Sequence, residues 1–305
     1  MLLRVVHETA YRYAPRTRTA QHMAHLKPLD GTCQQLLRHQ LSIDPQPALH
    51  SEGPDVYGNH RTFFSLPAEH ESLTIVADSI VRTSAPAAPE SSCAWEAVRE
   101  RLRYRRGGTW EPAVEFTFGS QYVPRHAQFA EYAHASFTAG RPLLAAAREL
   151  MTRIHADFRF ASDATDVNTS ALEALHLRRG VCQDFAHVML GCLRSIGLPA
   201  RYVSGYLLTS PPPGQPRLVG GDASHAWVAV YLPDAQGPGQ WADLDPTNNR
   251  SPGADYVVLA TGRDYADVSP VRGILHGGAH HQLRVAVTVE PLDLPALAEA
   301  EAPGG

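Results

Sequence analysis

A cysteine stands where the sequence predicts the start of a buried helix. The residues after Cys182 include apolar side chains at helical spacing, which predicts one buried face; they are Phe185, Ala186, Met189, Leu190 and Leu193. Gly197 and Pro199 then predict the end of this helix. A thiol in the first turn faces unpaired backbone N–H groups and the positive end of the helix dipole, and both stabilise the thiolate. A lone cysteine is more often a small buried apolar residue, so Cys182 is a candidate nucleophile only if catalytic partners accompany it.

Two segments further along the chain supply such partners. The apolar run Ser224–Leu232 predicts a strand that carries His225 near its start, and residues 241–247 predict a shorter strand that ends at a proline. The turn-forming residues 233–240 between them predict a hairpin. Folding this hairpin about position 235 places His225 opposite Asp245, at roughly 5 Å between side chains. A carboxylate there can hold the imidazole by one nitrogen while the other nitrogen faces the thiolate, which is the arrangement of nucleophile, base and orienting group.

Other carboxylates compete for the orienting role. Asp243 lies two residues before Asp245, and residues two apart on a strand point to the same face. Since the strand register is not fixed by the residues alone, the pattern leaves both aspartates open. Asp184 is close to Cys182 in sequence, but we expect it to bind amides at the helix N-terminus or a neighbouring arginine.

Two groups of residues could suggest a metal ion, and neither has suitable spacing. Cys182, His187 and Cys192 are five residues apart, so on a helix successive members lie about 140° apart around the axis and do not converge. A second histidine cluster lies in a glycine-rich segment without cysteine or carboxylate companions at ligand spacing. Its members are His276, His280 and His281. With no HExxH motif and no phosphate-binding glycine loop, we expect no metal and no cofactor.

Three segments taken together resemble the transglutaminase-like superfamily of cysteine enzymes. They are Gly-Val-Cys-Gln-Asp-Phe-Ala at 180–186, His-Ala-Trp-Val at 225–228 and Trp-Ala-Asp-Leu-Asp-Pro-Thr at 241–247, in the order and with gaps like those of the family. The resemblance implies that Cys182 is the nucleophile, His225 the base and Asp245, which directly precedes Pro-Thr, the orienter. It covers residues 140–250, and the preceding part of the chain is similar to the β-rich domain found before this core in many bacterial members.

The predicted fold class is α+β, with an N-terminal antiparallel β-sandwich followed by a papain/transglutaminase-like core. In that core a helix carrying the cysteine packs on an antiparallel sheet carrying the histidine and the aspartate. Residues 1–85 alternate apolar and polar side chains, which predicts strands with one solvated face. We assign residues 86–140 to a linker and connecting helix and residues 141–290 to the catalytic domain. The tail 291–305, rich in Ala, Glu, Pro and Gly, is expected to be flexible.

Composition argues against several classes of function. The net charge of −4 over 305 residues argues against a general nucleic-acid-binding surface, and the arginines at 99–106 are interpreted as a solvated helix face. No apolar run approaches the length of a membrane helix, and the first residues carry charges too early for a signal peptide. Four cysteines are too few for a disulfide framework. We therefore expect a cytoplasmic protein with no membrane and no nucleic-acid partner.

The residues and the resemblance together predict thiol-dependent acyl transfer on amide or peptide substrates through a thioester. The expected substrate is a protein or peptide with an amide side chain or a peptide bond. The backbone N–H of Cys182 is a natural donor to the oxyanion, and the sequence does not identify a second donor. One alternative is a cysteine protease or amidase that uses the same triad with water as acceptor. The other is a non-catalytic scaffold, and the presence of all three candidate residues argues against it.

Overall fold

The computed structural model describes residues 1–87, 93–103, 111–209, 224–234, 239–277 and 280–292. The strands are β1 (Leu2–Ala24), β2 (Gln34–Asp44), β3 (Leu49–Pro54), β4 (His60–Leu66), β5 (His70–Thr83), β6 (Arg159–Phe160), β7 (Arg179–Gly180), β8 (Ala200–Leu207), β9 (Ser224–Leu232), β10 (Gln240–Leu244), β11 (Tyr256–Gly262), β12 (Val271–Gly277) and β13 (His280–Pro291). The helices are α1 (Trp95–Arg101), α2 (Ala127–His134), α3 (Leu143–Asp157), α4 (Ala171–Leu177), α5 (Cys182–Ser195) and α6 (Tyr265–Val268), with a 3₁₀ helix at Pro112–Thr117.

The N-terminal region is a seven-stranded sheet organised around β1. The first half of this 23-residue strand lies between β5 and β13, and the second half lies between β4 and β12. Pairing with β5 becomes irregular between Arg12 and Thr17, where the neighbours change. Buried and less buried residues alternate from Leu2 to Thr9, as the sequence pattern predicts. The mixed α+β fold with a β-rich N-terminal region is confirmed.

Two strands near the C-terminus also belong to this sheet. β12 and β13 pair with β1 in antiparallel register, from Ala24↔Val271 to Leu3↔Pro291. Residues 141–290 were predicted to form the catalytic domain and residues 1–85 the β-rich N-terminal domain. β12 and β13 join the strands of the N-terminal region in one sheet through β1. Apolar alternation identifies a strand but does not identify its partner, which is why this pairing was not predicted.

The core that carries the candidate site is a helix on a sheet. Four antiparallel strands run in the order β10-β9-β8-β11, and α5 packs against β8 and β9. Buried side chains of the helix, such as Leu190 and Leu193, join one core with Val228 and Val230 of β9. The sequence predicted a single buried face for this helix, whereas every residue from Asp184 to Arg194 is buried. The reason is that α2, α3 and α4 contact α5 as well.

The boundaries of the helices around the site follow local signals in the sequence. The Ser170 side chain accepts a hydrogen bond from the Glu173 N–H at 3.2 Å and caps α4. Pro142 precedes α3 directly. Just beyond the end of α5, Gly197 has φ +85°, a left-handed conformation that favours glycine. These signals mark the starts of α3 and α4 and the end of α5.

Some predictions fall outside the described residues. They concern part of the linker (88–92), part of the arginine-rich segment (104–110), most of the loop before β9 (210–223) and the middle of the loop between β9 and β10 (235–238). Residues 278–279 and nearly all of the tail (293–305) also lie outside the described residues. Among the helices that the structure describes, none has the length and apolar character needed to span a bilayer.

Candidate active site

Cys182 is the first residue of α5, and Val181 is its N-cap. The thiol is partly buried, and its Sγ atom lies 4.0 Å from the carbonyl oxygen of Ser224 at the start of β9. Asp184 fixes this end of the helix, because its Oδ2 accepts hydrogen bonds from the Val181 N–H and the Thr165 hydroxyl, each at 2.7 Å. The expectation that Asp184 serves the helix N-terminus agrees with these contacts. The thiol therefore sits at the positive end of a rigidly anchored helix.

The hairpin that carries the other two residues has a different register from the predicted one. Gln240 pairs with Leu232 and Leu244 pairs with Val228, so the hairpin is centred one residue later than position 235. Asp245 is therefore not directly opposite His225 in the ladder. β10 ends before it, and Asp245 opens a turn closed by backbone hydrogen bonds with Arg250. Even so, His225 Nε2 and Asp245 Oδ2 lie 2.7 Å apart, because the side chains converge where the strand ends.

Asp245 is fully buried and is surrounded by donors. Oδ2 accepts from His225, from the Asn248 side-chain amide at 2.7 Å and from the Tyr256 hydroxyl at 2.7 Å. Oδ1 accepts from the backbone N–H groups of Thr247 at 2.9 Å and Asn248 at 3.2 Å. Burial would raise the pKa of this carboxyl group, but its hydrogen bonds, with that to His225 the strongest, lower the pKa overall. Asp245 therefore remains an anion inside the protein.

His225 lies between this anion and the thiol. Burial acts to lower the pKa of the imidazole, and hydrogen bonds to Asp245 and to Cys182 outweigh it and raise the pKa to about 9. Because Nε2 is engaged by the carboxylate, Nδ1 is the ring nitrogen left for the sulfur. The ring also contacts Trp227 and Tyr256, with centroid distances of 6.1 and 6.0 Å. At neutral pH this environment favours an imidazolium beside the sulfur of Cys182.

Asp243 has a different neighbour. It pairs with Ala229 within the β9–β10 ladder, and Arg201 pairs with Ala229 from the other side. Burial raises the pKa of Asp243 to about 6, and the nearby Arg201 guanidinium opposes this rise. The sequence left two aspartates as candidates for the orienting role. In the structure Asp245 is hydrogen-bonded to His225, and Asp243 lies near Arg201.

Two residues of this site were missed in the sequence. Asn248 follows the Asp-Pro-Thr segment and could have been suspected from its place in the turn, since asparagine side chains often bind nearby groups there. Tyr256 carries no such signal, because it reaches Asp245 from the separate strand β11.

The two groups of residues that could suggest a metal site do not form one in the described part of the chain. His187 is buried between the rings of Tyr122 and Tyr202, at centroid distances of 5.7 and 5.2 Å, and its Nε2 accepts from the Tyr265 N–H at 3.2 Å. Burial lowers its pKa to about 3. Burial likewise raises the pKa of the Cys192 thiol. The cluster near the C-terminus is exposed and lies on β12 and β13; its residues are His276, His280 and His281. Within the described ranges, no group of three or more His, Cys, Asp or Glu side chains is arranged to hold a metal.

Comparison with known families gives two matches. Residues 3–82 match the bacterial transglutaminase-like N-terminal region, and residues 130–246 match the transglutaminase-like superfamily. The second match includes all three residues of the site.

Relatives and a solved structure extend the likeness over nearly the whole chain. An uncharacterized protein of Mycobacterium tuberculosis, Rv2569c, is 40% identical over 96% of this chain and 94% of its own length. A protein-glutamine gamma-glutamyltransferase of Pseudomonas aeruginosa is 40% identical over 103 residues, which are 31% of this chain and 15% of that protein. The crystal structure of a proposed cysteine protease from Cytophaga hutchinsonii superposes with a TM-score of 0.73 at 20% identity, covering 96% of this chain and 91% of that one. At 20% identity this superposition supports a shared fold and nothing beyond it.

Proposed function

Because this chain belongs to the transglutaminase-like superfamily, we propose that it transfers acyl groups from amides of protein or peptide substrates through a thioester on Cys182. The observation that carries the proposal is the 2.7 Å contact between His225 Nε2 and Asp245 Oδ2, with the imidazole also hydrogen-bonded to a thiol at a helix N-terminus. The likeness to a named gamma-glutamyltransferase supports a glutamine side chain as the acyl donor.

In the first half-reaction the Cys182 thiolate attacks the amide carbon of the donor. The carbonyl oxygen becomes an oxyanion, and we assign the backbone N–H of Cys182, the first residue of α5, as its donor. As the C–N bond breaks, the His225 imidazolium gives its proton to the departing nitrogen, which leaves as ammonia or an amine. A thioester on Cys182 and a neutral imidazole remain.

In the second half-reaction the neutral His225 removes a proton from the incoming acceptor. The acceptor attacks the thioester, the C–S bond breaks, and Cys182 leaves as a thiolate beside the restored imidazolium. With an amine acceptor the product is a new amide, and with water it is a carboxylic acid. Asp245 holds the ring in place and stabilises its charge throughout.

The test is mass spectrometry of a pool of peptides that contain glutamine and lysine, incubated with the protein. We expect crosslinked peptides with the wild-type protein and none with Cys182→Ala. Conversion of glutamine to glutamate without crosslinks would assign the enzyme as an amidase, and cleaved chains would assign it as a protease. Equal product from Cys182→Ala and from wild-type protein would refute the proposed nucleophile.

A further inference from the structure

The strand β11 forms an edge of the catalytic sheet, and residues of the N-terminal region cover that edge. The side-chain amide of Gln34 donates to the Val258 carbonyl at 2.8 Å and accepts from the Val258 N–H at 2.7 Å. Asn59 bonds Thr261 in the same two-way manner, at 2.8 and 2.7 Å. Backbone groups that an adjoining strand would otherwise satisfy are thus satisfied by two amides from the other sheet.

Apolar packing fixes the same strand to the N-terminal sheet. Val257 and Leu259 are buried in one cluster with side chains from both ends of the chain. These partners are Leu3, Val5, Val81, Val287 and Val289. The Thr83 hydroxyl also donates to the carbonyl of Ala254, just before the strand, at 2.5 Å. The position of β11 is therefore set by the N-terminal sheet as well as by β8.

Tyr256, the first residue of β11, reaches the candidate active site. Its hydroxyl donates to Asp245 Oδ2 at 2.7 Å, and the side chain is almost fully buried. Its ring meets Trp227 edge-on at 5.3 Å, and the guanidinium of Arg250 lies over the ring at 4.8 Å. These contacts leave the hydroxyl little freedom to turn away from the carboxylate.

We propose that Tyr256 is a positioning residue, through which the N-terminal β-rich region holds Asp245 against His225. This inference rests on the proposed function, in which Asp245 orients the imidazole. The hydroxyl and the ring N–H share one oxygen of Asp245, so loss of the hydroxyl frees the carboxylate to rotate away from the ring.

Several charged or titratable groups in the described part of the chain lie around this contact. His225 and Asp245 face each other, Cys182 lies on the far side of the ring, and Arg250 and Asp255 form an ion pair of 2.6 Å beside Tyr256. Because none of these groups is removed by Tyr256→Phe, a change in the titration of His225 in that variant reports on the lost hydroxyl.

The test uses alkylation of the Cys182 thiol by iodoacetamide as a function of pH, followed by mass spectrometry of the Cys182 peptide. This readout needs no substrate. The upper step of the resulting rate profile is the rise in rate at the pH where the His225 imidazolium loses its proton. We expect the upper step to move down by about one pH unit in Tyr256→Phe, the size of one hydrogen bond to a charged group.

The matched control is Tyr206→Phe, which removes a buried hydroxyl bonded to His7 Nδ1 at 2.9 Å across the same boundary between sheets. The upper step of this variant should not move.

A second pair of variants tests the connection to the N-terminal region. Gln34→Ala should move the upper step in the same direction by a smaller amount, and combining it with Tyr256→Phe should add nothing further. Asn59→Ala is the control, since it removes the equivalent amide at Thr261, beyond the bulge between Val258 and Ala260. We expect it to leave the step in place.

Failure of the positioning role of Tyr256 and failure of the proposed function give different results in this assay. An unchanged step in Tyr256→Phe would mean that the hydroxyl is only structural. A step moved to higher pH would mean that it withdraws charge from Asp245 rather than positioning it. Additive effects of Gln34→Ala and Tyr256→Phe would overturn the link between the two. A wild-type protein without an upper step would instead count against the thiolate–imidazolium pair itself.

Discussion

Asp245 can keep its charge in a fully buried position because five hydrogen-bond donors point at its two oxygens. An unpaired buried carboxylate would take up a proton. Here the hydrogen bonds stabilise the anion, and the anion in turn stabilises the imidazolium of His225. The orienting role thus depends on Thr247, Asn248 and Tyr256 as well as on His225.

This arrangement predicts different effects of two neighbouring substitutions. Asp245→Asn should lower kcat by about 10³-fold or more, as loss of an orienting carboxylate does in other triads. Asp243→Asn should stay within several-fold of wild type, because that side chain lies beside Arg201. Steady-state kinetics on a peptide found active in the crosslinking assay would measure both. If Asp243→Asn proved the more damaging, the orienter would have to be reassigned.

The protonation of His225 sets an alkaline limit for the reaction. The imidazolium must protonate the leaving nitrogen, and the pKa of this group is raised to about 9 by Asp245 and Cys182 against the effect of burial. We expect kcat to fall as pH rises through about 9, and the limit to move to lower pH in Asp245→Asn. A pH–rate profile of both proteins tests this. An alkaline limit that is the same in the two proteins would contradict the role given to Asp245.

At the scale of elements, the start of α5 depends on a close approach between backbone and side chain. A Cβ atom on Gly180 would contact Asp184, with its Cγ only 2.7 Å away. Asp184 has no room to retreat, since Val181 and Thr165 both donate to it. The glycine before the cysteine therefore lets the carboxylate cap the helix.

Gly180→Ala should accordingly destabilise the protein by about 1–3 kcal/mol, the usual cost of overpacking. It should also slow alkylation of Cys182, because the helix start must shift. Urea unfolding gives the first quantity. Gly53→Ala on β3, where an added Cβ would meet nothing within 4 Å, is the matched control. Equal unfolding free energies for the two variants would show that the site tolerates the extra methyl group.

Elements were predicted from sequence more successfully than the contacts between them. The helix at Cys182 and the strand carrying His225 were predicted because their signals are local. The centre of the hairpin was wrong by one residue, which shifts each cross-strand partner by two, since turn residues mark a loop without fixing its centre. Tyr256 was missed because its contact with Asp245 joins β11 to the turn that follows β10, and no local pattern specifies that approach.

At the scale of the whole molecule, buried histidines make stability depend on pH. Burial lowers the pKa of His7 to about 4, of His22 to about 4 and of His187 to about 3, against about 6.5 in an unfolded chain. Between these values the unfolded state binds more protons, so stability falls as pH drops below about 6.5. His225 acts in the opposite direction, because its raised pKa gives stability that is lost as pH rises from about 6.5 to 9.

We therefore expect the free energy of unfolding to decrease between pH 6.5 and pH 4, with each buried histidine contributing a slope of up to about 1.4 kcal/mol per pH unit. His22→Phe, which retains a ring against Phe64, should lower this slope, and the exposed-site variant His276→Phe should not. Urea unfolding at several pH values measures the slopes. The same slope in His22→Phe as in wild type would exclude His22 as a source of acid sensitivity.

The pairing of β1 with β13, from Leu3↔Pro291 to Ala14↔His280, has a consequence for biosynthesis. During translation β1 emerges long before β12 and β13, and the backbone groups along that edge of β1 lack their partners until residues 271–291 have left the ribosome. Nascent chains halted before residue 271 should therefore be sensitive to protease within β1, while chains that include β12 and β13 protect it. The N-terminal sheet is in this way completed only after the catalytic core has been synthesised.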